Sequence, residues 1–216
     1  MINANDKIRS LRTAFSYTPL DEKNIDKNPI RQFNRWMEDA LNAKTGEPNA
    51  MTLATVDGKG FPGARVVLLR GVDKNGFSFF TNYKSDKGKA LQSRKACLNF
   101  FWIELSRQVR IVGTVKKLSS KESDDYFNSR PRESQISAWT SHQSEMVSSR
   151  AALEEKYLQM EKKFQNKKVP RPSYWGGYAV QPITIEFWQG KQNRLHDRIR
   201  YSKLKNGKWK IERLSP

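Results

Sequence analysis

The sequence contains very little cysteine and histidine, with one cysteine and two histidines in 216 residues. A single cysteine excludes an internal disulfide bond. Cys97 lies in the apolar run ACLNFFW, where a buried and unreactive thiol is the expected role. These three side chains are too few and too far apart to make a zinc site, so we predict no metal. The glycine-rich signatures GxGxxG and GxxxxGK(S/T) are also absent, which excludes the common nucleotide-phosphate loops.

Long apolar segments are lacking as well. No run approaches the roughly 18 apolar residues of a membrane-spanning helix, and the opening MINANDKIRSLRTAF has no apolar signal region. We therefore expect a cytoplasmic protein that does not enter a membrane. Acidic residues are few, with 22 against 40 basic ones, for a net charge of +18. This balance favours anionic partners, and charge alone does not choose among nucleic acid, acidic membranes and phosphorylated small molecules.

The order of local signals predicts one α+β domain built on an antiparallel β-barrel. Residues 1–28 are polar and aperiodic and are predicted to be a flexible arm, and residues 29–216 form the domain. NPIRQFNRWMEDALNAK predicts a first helix, with Asn28 as its cap and Pro29 in its first turn. Five runs rich in β-branched and aromatic residues then predict strands joined by tight turns: AMTLATVD, FPGARVVLLR, GFSFFTNY, ACLNFFWI and RQVRIVGTVKKL.

Helical signals interrupt the strands in the second half of the chain. SSKESDDYFNSRP predicts a short helix, because Ser119 and Glu122 have capping-box spacing. SEMVSSRAALEEKYLQMEKKFQ predicts a longer one, with an apolar stripe from Met146 to Phe164. Three final strands are expected in YAVQPITIEFW, RIRYSKL and GKWKIERL.

Three basic segments are candidates for binding phosphate or an aromatic ligand. In RVVLLR, strand alternation sends Arg65 and Arg70 to opposite faces, where they either extend into water or hold a phosphate together with Lys87. In YFNSRPRESQ, Tyr126, Arg130 and Ser134 follow one another at four-residue spacing. These three side chains either grip a second phosphate or belong to an ordinary helix stop.

The segment RLHDR contains the strongest candidates for a catalytic role. Alternation places Arg194, His196 and Arg198 on one face, with Leu195 and Asp197 opposite. A histidine beside two cations resists protonation, which suits a neutral hydrogen-bonding or proton-accepting role. Trp188 is either a core side chain or a flat surface for a planar ring.

The run IEFWQGKQNRLHDR resembles the signature of the pyridoxine/pyridoxamine 5′-phosphate oxidases. The similarity continues over roughly residues 30–216, through RVVLLR, FFTNYKS, RQVRIVG, YFNSRPRESQISAW, SHQSE, PSYWGGY and WKIERLSP. The resemblance implies a Greek-key-like split β-barrel with flanking helices, forming a homodimer that binds FMN at the subunit interface. It also implies oxidation of pyridoxamine or pyridoxine 5′-phosphate to pyridoxal 5′-phosphate by O2, giving hydrogen peroxide and, from the amine, ammonia.

The resemblance also implies roles for individual residues, carried over by position. The FMN contacts would be Arg65, Val66, Val67, Leu68, Leu69, Arg70, Phe80, Thr81, Asp86, Lys87, Gln108, Gln143, Ser144, Trp188 and Arg198. The substrate contacts would be Arg12, Arg70, Tyr126, Arg130, Ser134, Arg194, Leu195 and His196, with Arg12 in an N-terminal lid. Arg194 and His196 would be the catalytic pair.

This chain departs from the family pattern at several of these positions. Arg70 stands where lysine is usual, Phe80 replaces a common tyrosine, and Asp86 replaces a basic residue. Lid contacts beyond Arg12 are not matched in LRTAF. Two alternatives remain at this point: a split-barrel flavoprotein that acts on another substrate, and a basic barrel that binds single-stranded nucleic acid on strand aromatics.

Overall fold

A computed structural model describes residues 8–9 and 18–216 of the chain. Arg12, assigned above to a substrate lid, lies outside the described residues. The helices are α1 (Pro29–Asn42), α2 (Asp86–Ala90), α3 (Ser120–Ser129), α4 (Arg132–Thr140) and α5 (Arg150–Lys163). The strands are β1 (Ala50–Val56), β2 (Pro62–Leu68), β3 (Gly71–Asp73), β4 (Gly76–Asn82), β5 (Lys95–Trp102), β6 (Arg107–Lys117), β7 (Trp175–Gln189), β8 (Asp197–Lys203) and β9 (Trp209–Arg213).

The strands form one sheet in the order β2-β1-β5-β6-β7-β4-β3, with β8 pairing with both β7 and β9. β1 runs antiparallel to β2 and β5, β4 to β3 and β7, and β8 to β9. Burial alternates along β1 and β6, because successive side chains of a strand point to opposite faces of the sheet. Within the described part of the chain, no helix combines the length and the apolar character needed to cross a bilayer.

The chain divides into two compact units. Unit 1 comprises residues up to Pro48 together with Phe100–Arg110 and Ile185–Pro216, and unit 2 comprises Asn49–Asn99 and Ile111–Thr184. The core of unit 1 is aromatic, with the Phe33 and Phe100 ring centroids 5.1 Å apart. The core of unit 2 includes a buried cluster under its helices: Phe127, Ile136, Phe164, Val169 and Trp175.

Residues before the first long helix take part in the packing of unit 1. Leu20 is buried, and the Tyr201 hydroxyl donates to the Asp26 carbonyl at 2.7 Å. Arg213 of β9 donates two hydrogen bonds to the Glu22 carboxylate, at 2.8 and 2.7 Å. The boundary at residue 28, between an arm and a single domain, stays a prediction.

The predicted caps are confirmed, whereas the helices between residues 130 and 165 need correction. Asn28 caps α1 ahead of Pro29, and Ser119 forms the predicted capping box with Glu122. The stripe beginning at Met146 is wrong, because α5 starts only at Arg150, where the Ser149 side chain accepts from the Ala152 N–H. Met146 therefore lies in the preceding loop and is fully exposed.

Helix α4 was not predicted, because Pro131 resembles a helix stop. Pro131 does end α3, but it also serves as the N-cap residue of α4. The four-residue spacing of Tyr126, Arg130 and Ser134 therefore does not run along one helix face. Ser134 lies in the first turn of the second helix instead.

Candidate active site

A cavity of about 360 Å³ lies within unit 2, bordered by the end of β2, by β4 and by the helical segments. Its walls include ten residues predicted to bind cofactor or substrate: Val66, Val67, Leu68, Arg70, Phe80, Thr81, Lys87, Tyr126, Arg130 and Gln143. Both predicted phosphate sites therefore contribute to the wall of a single cavity.

One corner of the cavity is built around the Gln143 side chain. The Lys87 ammonium donates to Gln143 Oε1 at 3.0 Å, and the Thr81 hydroxyl donates to the same oxygen at 3.4 Å. Burial lowers the pKa of Lys87, and the nearby Arg65 cation lowers it further, while Asp86 opposes both effects. Two donors that converge on one oxygen, in a field set by two cations, make a corner suited to an anionic oxygen.

The end of β2 and the two residues after it present their side chains as alternation predicts. Val67 and Leu69 are buried, whereas Val66 and Arg70 are exposed. The Arg65 guanidinium is held inside the unit, where Nη1 donates to the Leu53 and Gly63 carbonyls at 3.1 and 3.0 Å. The same nitrogen also donates to a threonine hydroxyl of β1 at 2.8 Å. Arg65 thus reinforces the charge of the Lys87 corner from a fixed position.

Asp86 stands at the first position of α2 with an exposed side chain. Its carboxylate lies 4.0 Å from the Lys89 ammonium, and its N–H donates to Ser144 Oγ at 3.3 Å. Ser144 adopts a φ of 72°, an uncommon conformation for a residue with a side chain. The loop that carries Gln143 and Ser144 is therefore tied to α2 at the Lys87 corner.

A second basic corner is formed by Arg130 and Arg70 around stacked aromatic rings. Phe80 and Tyr126 stack with centroids 3.9 Å apart, and the Arg70 guanidinium lies 5.9 Å from the Tyr126 ring. Burial is the main cause that lowers the pKa of Arg130. Its Nη1 is buried and has no hydrogen-bond partner among the described residues. An unpartnered, buried guanidinium nitrogen at a cavity wall suits an anionic ligand oxygen.

Unit 1 carries the remaining predicted residues. Gln108 lies on β6, Trp188 on β7 and Arg198 on β8. The Trp188 and His196 rings are 4.6 Å apart between centroids. Burial, followed by the charge of Arg194, lowers the pKa of His196, in the direction that the sequence indicated.

The predicted alternation through RLHDR is wrong. Gln192–Arg194 form a short 3-10 turn, in which Asn193 and Arg194 have φ values of 57° and 58°. Strand β8 begins only at Asp197, so Arg194, His196 and Arg198 do not share the face of one strand. Leu195 is exposed within this turn.

The turn fixes the tautomer of the histidine. The Lys191 N–H donates to His196 Nδ1 at 3.0 Å, so Nδ1 is an acceptor. A neutral ring whose Nδ1 accepts a hydrogen bond carries its proton on Nε2. The arrangement makes His196 a hydrogen-bond donor through Nε2. Of the two roles that the sequence left open, it favours the neutral hydrogen-bonding role over the proton-accepting role.

Glu186 contacts the predicted site residue Arg198 and was missed by the sequence analysis. Its carboxylate accepts hydrogen bonds from Arg198 Nε at 2.9 Å and from Arg110 Nη2 at 2.5 Å, and its side chain is 6% exposed. Arg198 Nη1 donates to the Ser215 carbonyl at 2.9 Å. The sequence did contain a sign of this role, because a glutamate stands within an apolar strand two positions before Trp188.

Solved structures place the fold in a known class. PhzG of Burkholderia lata 383, solved with tetrahydrophenazine-1-carboxylic acid, is 31% identical with a TM-score of 0.85, and the match covers 90% of this chain and 95% of that one. A pyridoxamine 5′-phosphate oxidase-related, FMN-binding protein of Nostoc punctiforme has a TM-score of 0.69 at 15% identity, over 89% of this chain and 100% of that one. The molecule is thus an α+β split β-barrel with flanking helices, as predicted.

Comparison with protein families identifies the chain more closely. Residues 37–164 match the model of pyridoxamine 5′-phosphate oxidase, and residues 175–216 match the pyridoxine 5′-phosphate oxidase C-terminal dimerisation region. The pyridoxine/pyridoxamine 5′-phosphate oxidase of Nostoc punctiforme is 51% identical over 210 residues, covering 97% of this chain and 98% of the relative. That of Aliarcobacter butzleri is 50% identical, covering 97% and 99%. The chain belongs to the pyridoxamine 5′-phosphate oxidase family.

Proposed function

We propose that the protein is an FMN-dependent oxidase that converts pyridoxamine and pyridoxine 5′-phosphates to pyridoxal 5′-phosphate. Dioxygen is the acceptor, hydrogen peroxide is formed, and the amine substrate also releases ammonia, in the synthesis and salvage of vitamin B6. The observation that carries the proposal is the cavity with two basic corners. One phosphorylated cofactor and one phosphorylated substrate require two such corners.

The residues of the first corner fit the phosphate of FMN. Lys87 and Thr81 both donate to Gln143 Oε1, so two donors point to one place, and Arg65 adds a fixed charge nearby. In our proposal Gln143 and Ser144 border this phosphate, the segment from Val66 to Arg70 and Phe80 lie along the flavin, and Gln108, Trp188 and Arg198 complete the contacts. The match of residues 175–216 to a dimerisation region supports a homodimer, and we propose that FMN binds at its interface.

The second corner fits the phosphate of the substrate. Arg130 offers a guanidinium nitrogen that has no hydrogen-bond partner among the described residues, and Tyr126 lines the same cavity. In our proposal Ser134 adds a hydroxyl from the start of α4, and Arg70 stands between the two ligands. A second phosphate corner is expected for an enzyme with a phosphorylated substrate. It therefore favours this reaction over that of a split-barrel flavoprotein acting on another compound. The nucleic-acid alternative does not account for the family match.

The protein residues orient the substrate and control protons. FMN, when bound, would supply the two-electron oxidation with O2 as the acceptor. Arg194 contributes a charge that holds the substrate, and His196 donates a hydrogen bond from Nε2 while Lys191 occupies Nδ1. Protonation of His196 at Nδ1 would break the bond from the Lys191 N–H, and the Arg194 charge opposes it as well.

An absorbance experiment tests the proposed function. Purified protein reconstituted with FMN is mixed with pyridoxamine 5′-phosphate in the absence of oxygen. We expect the flavin bands to bleach and to return when air is admitted. A flavin spectrum that ignores both phosphorylated vitamers would overturn the proposal in favour of another substrate, and a protein that FMN does not reconstitute would overturn the cofactor assignment.

Opposite changes at Asp86 and Lys87 should move FMN affinity in opposite directions. Lys87→Met removes a charged donor and should weaken FMN binding by about tenfold or more. Asp86→Asn removes an exposed anion and should tighten FMN binding by about twofold to fivefold. This effect should be smaller at high salt, because salt screens exposed charges. Quenching of flavin fluorescence measures both dissociation constants. Glu155→Gln, an equal charge change on α5, serves as the control, and equal tightening there would show a general charge effect.

A further inference from the structure

We propose that Trp175 and Gln135 are positioning residues that present the Arg130 guanidinium to the substrate phosphate. Neither residue was singled out by the sequence analysis. The inference rests on the proposed function, because it takes Arg130 as the group that meets the phosphate. It gives the reason why Arg130, at the cavity wall, has a buried Nη1 without a hydrogen-bond partner in the described part of the chain.

Trp175 supplies a surface on which the guanidinium rests. Arg130 Cζ lies 4.7 Å from the Trp175 ring centroid and 5.7 Å from that of Phe127. These two rings pack edge to face at 5.2 Å, and Trp175 is 8% exposed, so the surface is fixed in the core. A ring attracts the face of a guanidinium and leaves the N–H groups at its edge unbound. This geometry accounts for Nη1 being buried without a hydrogen-bond partner among the described residues.

Gln135 fixes the backbone from which that side chain extends. Its Nε2 lies 3.1 Å from the Phe127 carbonyl, 3.3 Å from that of Asn128 and 3.0 Å from that of Arg130. These carbonyls belong to the end of α3, where Arg130 leaves the helix with φ −73° and ψ 150°. Extended backbone is the favoured conformation before proline, here Pro131. The glutamine therefore locks the one turn that sets the direction of the Arg130 side chain.

Among the residues that the structure describes, the charge of Arg130 has no protein counter-ion. In the described part of the chain, no carboxylate forms an ion pair with Arg130, whereas Arg171, which donates to the Trp175 carbonyl, is paired with Asp124 at 2.7 Å. An arginine held by a ring and a backbone clamp, rather than by a carboxylate, keeps its full charge for a ligand. Trp175 and Gln135 should therefore affect the affinity for phosphate more strongly than they affect the rate of the chemical step.

Steady-state kinetics on the FMN-loaded enzyme tests the role of Trp175. We expect Trp175→Leu to raise the KM for pyridoxamine 5′-phosphate by about tenfold, and Trp175→Phe by about threefold, with kcat within twofold of wild type. The inhibition constant of inorganic phosphate should rise by the same factors. A purely structural role predicts a different result, in which FMN content and kcat fall together while KM stays constant.

Two further variants keep the test decisive if Trp175→Leu does not fold. Gln135→Met removes the amide without altering the core and should raise KM severalfold with kcat retained. Trp139→Phe is the matched control, because Trp139 packs in the same cluster on Phe164 and not on Arg130. An equal rise in KM for Trp139→Phe, or none for Gln135→Met and Trp175→Phe, would overturn the inference.

Equilibrium binding separates this inference from the proposed function. The dissociation constant of pyridoxal 5′-phosphate, followed by its own absorbance, should increase in the Trp175 and Gln135 variants by the factors expected for KM. A wild-type protein that binds this ligand without oxidising the substrates would contradict the function alone. Unchanged dissociation constants in well-folded variants would contradict the positioning role alone.

Discussion

Replacement of Arg194 by glutamine is expected to lower kcat/KM for pyridoxamine 5′-phosphate by about a hundredfold while FMN content stays at the wild-type level. A hydrogen bond from a charged donor contributes about 1.5–3 kcal/mol, which corresponds to this range of rates. Arg194 lies in an exposed turn and makes no contribution to a buried core, so the fold should tolerate the change. Turnover assays with parallel flavin quantitation give the result.

The same variant should carry a signature in its pH profile. Burial lowers the pKa of His196, and Arg194 is the second cause. Without Arg194 the pKa moves back up towards its ordinary value, so the neutral histidine is lost at a higher pH. The acid limb of kcat/KM should therefore shift to higher pH. Lys203→Gln removes the same charge at the end of β8 and should shift nothing, and unchanged turnover in Arg194→Gln would remove this arginine from the mechanism.

Replacement of Glu186 by leucine is expected to lower the free energy of unfolding by about 3 kcal/mol or more. Glu186 is buried and holds Arg110 and Arg198, and its removal leaves the partly buried Arg198 and the half-exposed Arg110 without their shared acceptor. Urea denaturation monitored by tryptophan fluorescence measures the change. Arg198 is a proposed FMN contact and loses its anchor in this variant, so FMN affinity should fall as well.

Glu212 provides the comparison for this prediction. It also accepts from two cations, Arg200 and Lys210, but its side chain is 29% exposed against 6% for Glu186. Solvent weakens the exposed pairs, so Glu212→Leu should cost far less stability. Equal losses at the two glutamates would mean that burial of the Glu186 carboxylate has no special energetic weight.

The parts of the fold that follow local patterns could be predicted from the sequence. The caps at Asn28 and Ser119 involve residues two or three positions apart, and strand alternation through RVVLLR needs only neighbouring residues. The family signature located the candidate site residues in the same way, through contiguous motifs. The roles of those residues stay predictions that the experiments above test.

The features that the sequence did not reveal depend on distant contacts or on unusual backbone conformations. The hydrogen bond from Arg110 to Glu186 joins residues 76 positions apart. Asn193 and Arg194 adopt the left-handed conformation, which interrupts the segment that we predicted to be a strand. Asparagine favours this conformation but arginine does not, so little in the sequence indicated it. Trp175 was not singled out, because nothing in the local sequence indicates that a guanidinium rests on it.

The bond between the Lys191 N–H and His196 Nδ1 determines which substitutions this turn tolerates. The donor is a backbone group, so the histidine tautomer is independent of the side chain at position 191. Any residue there preserves the orientation of the imidazole except proline, which has no N–H to donate. The tautomer of His196 is therefore set at a position where the identity of the amino acid is almost free to vary.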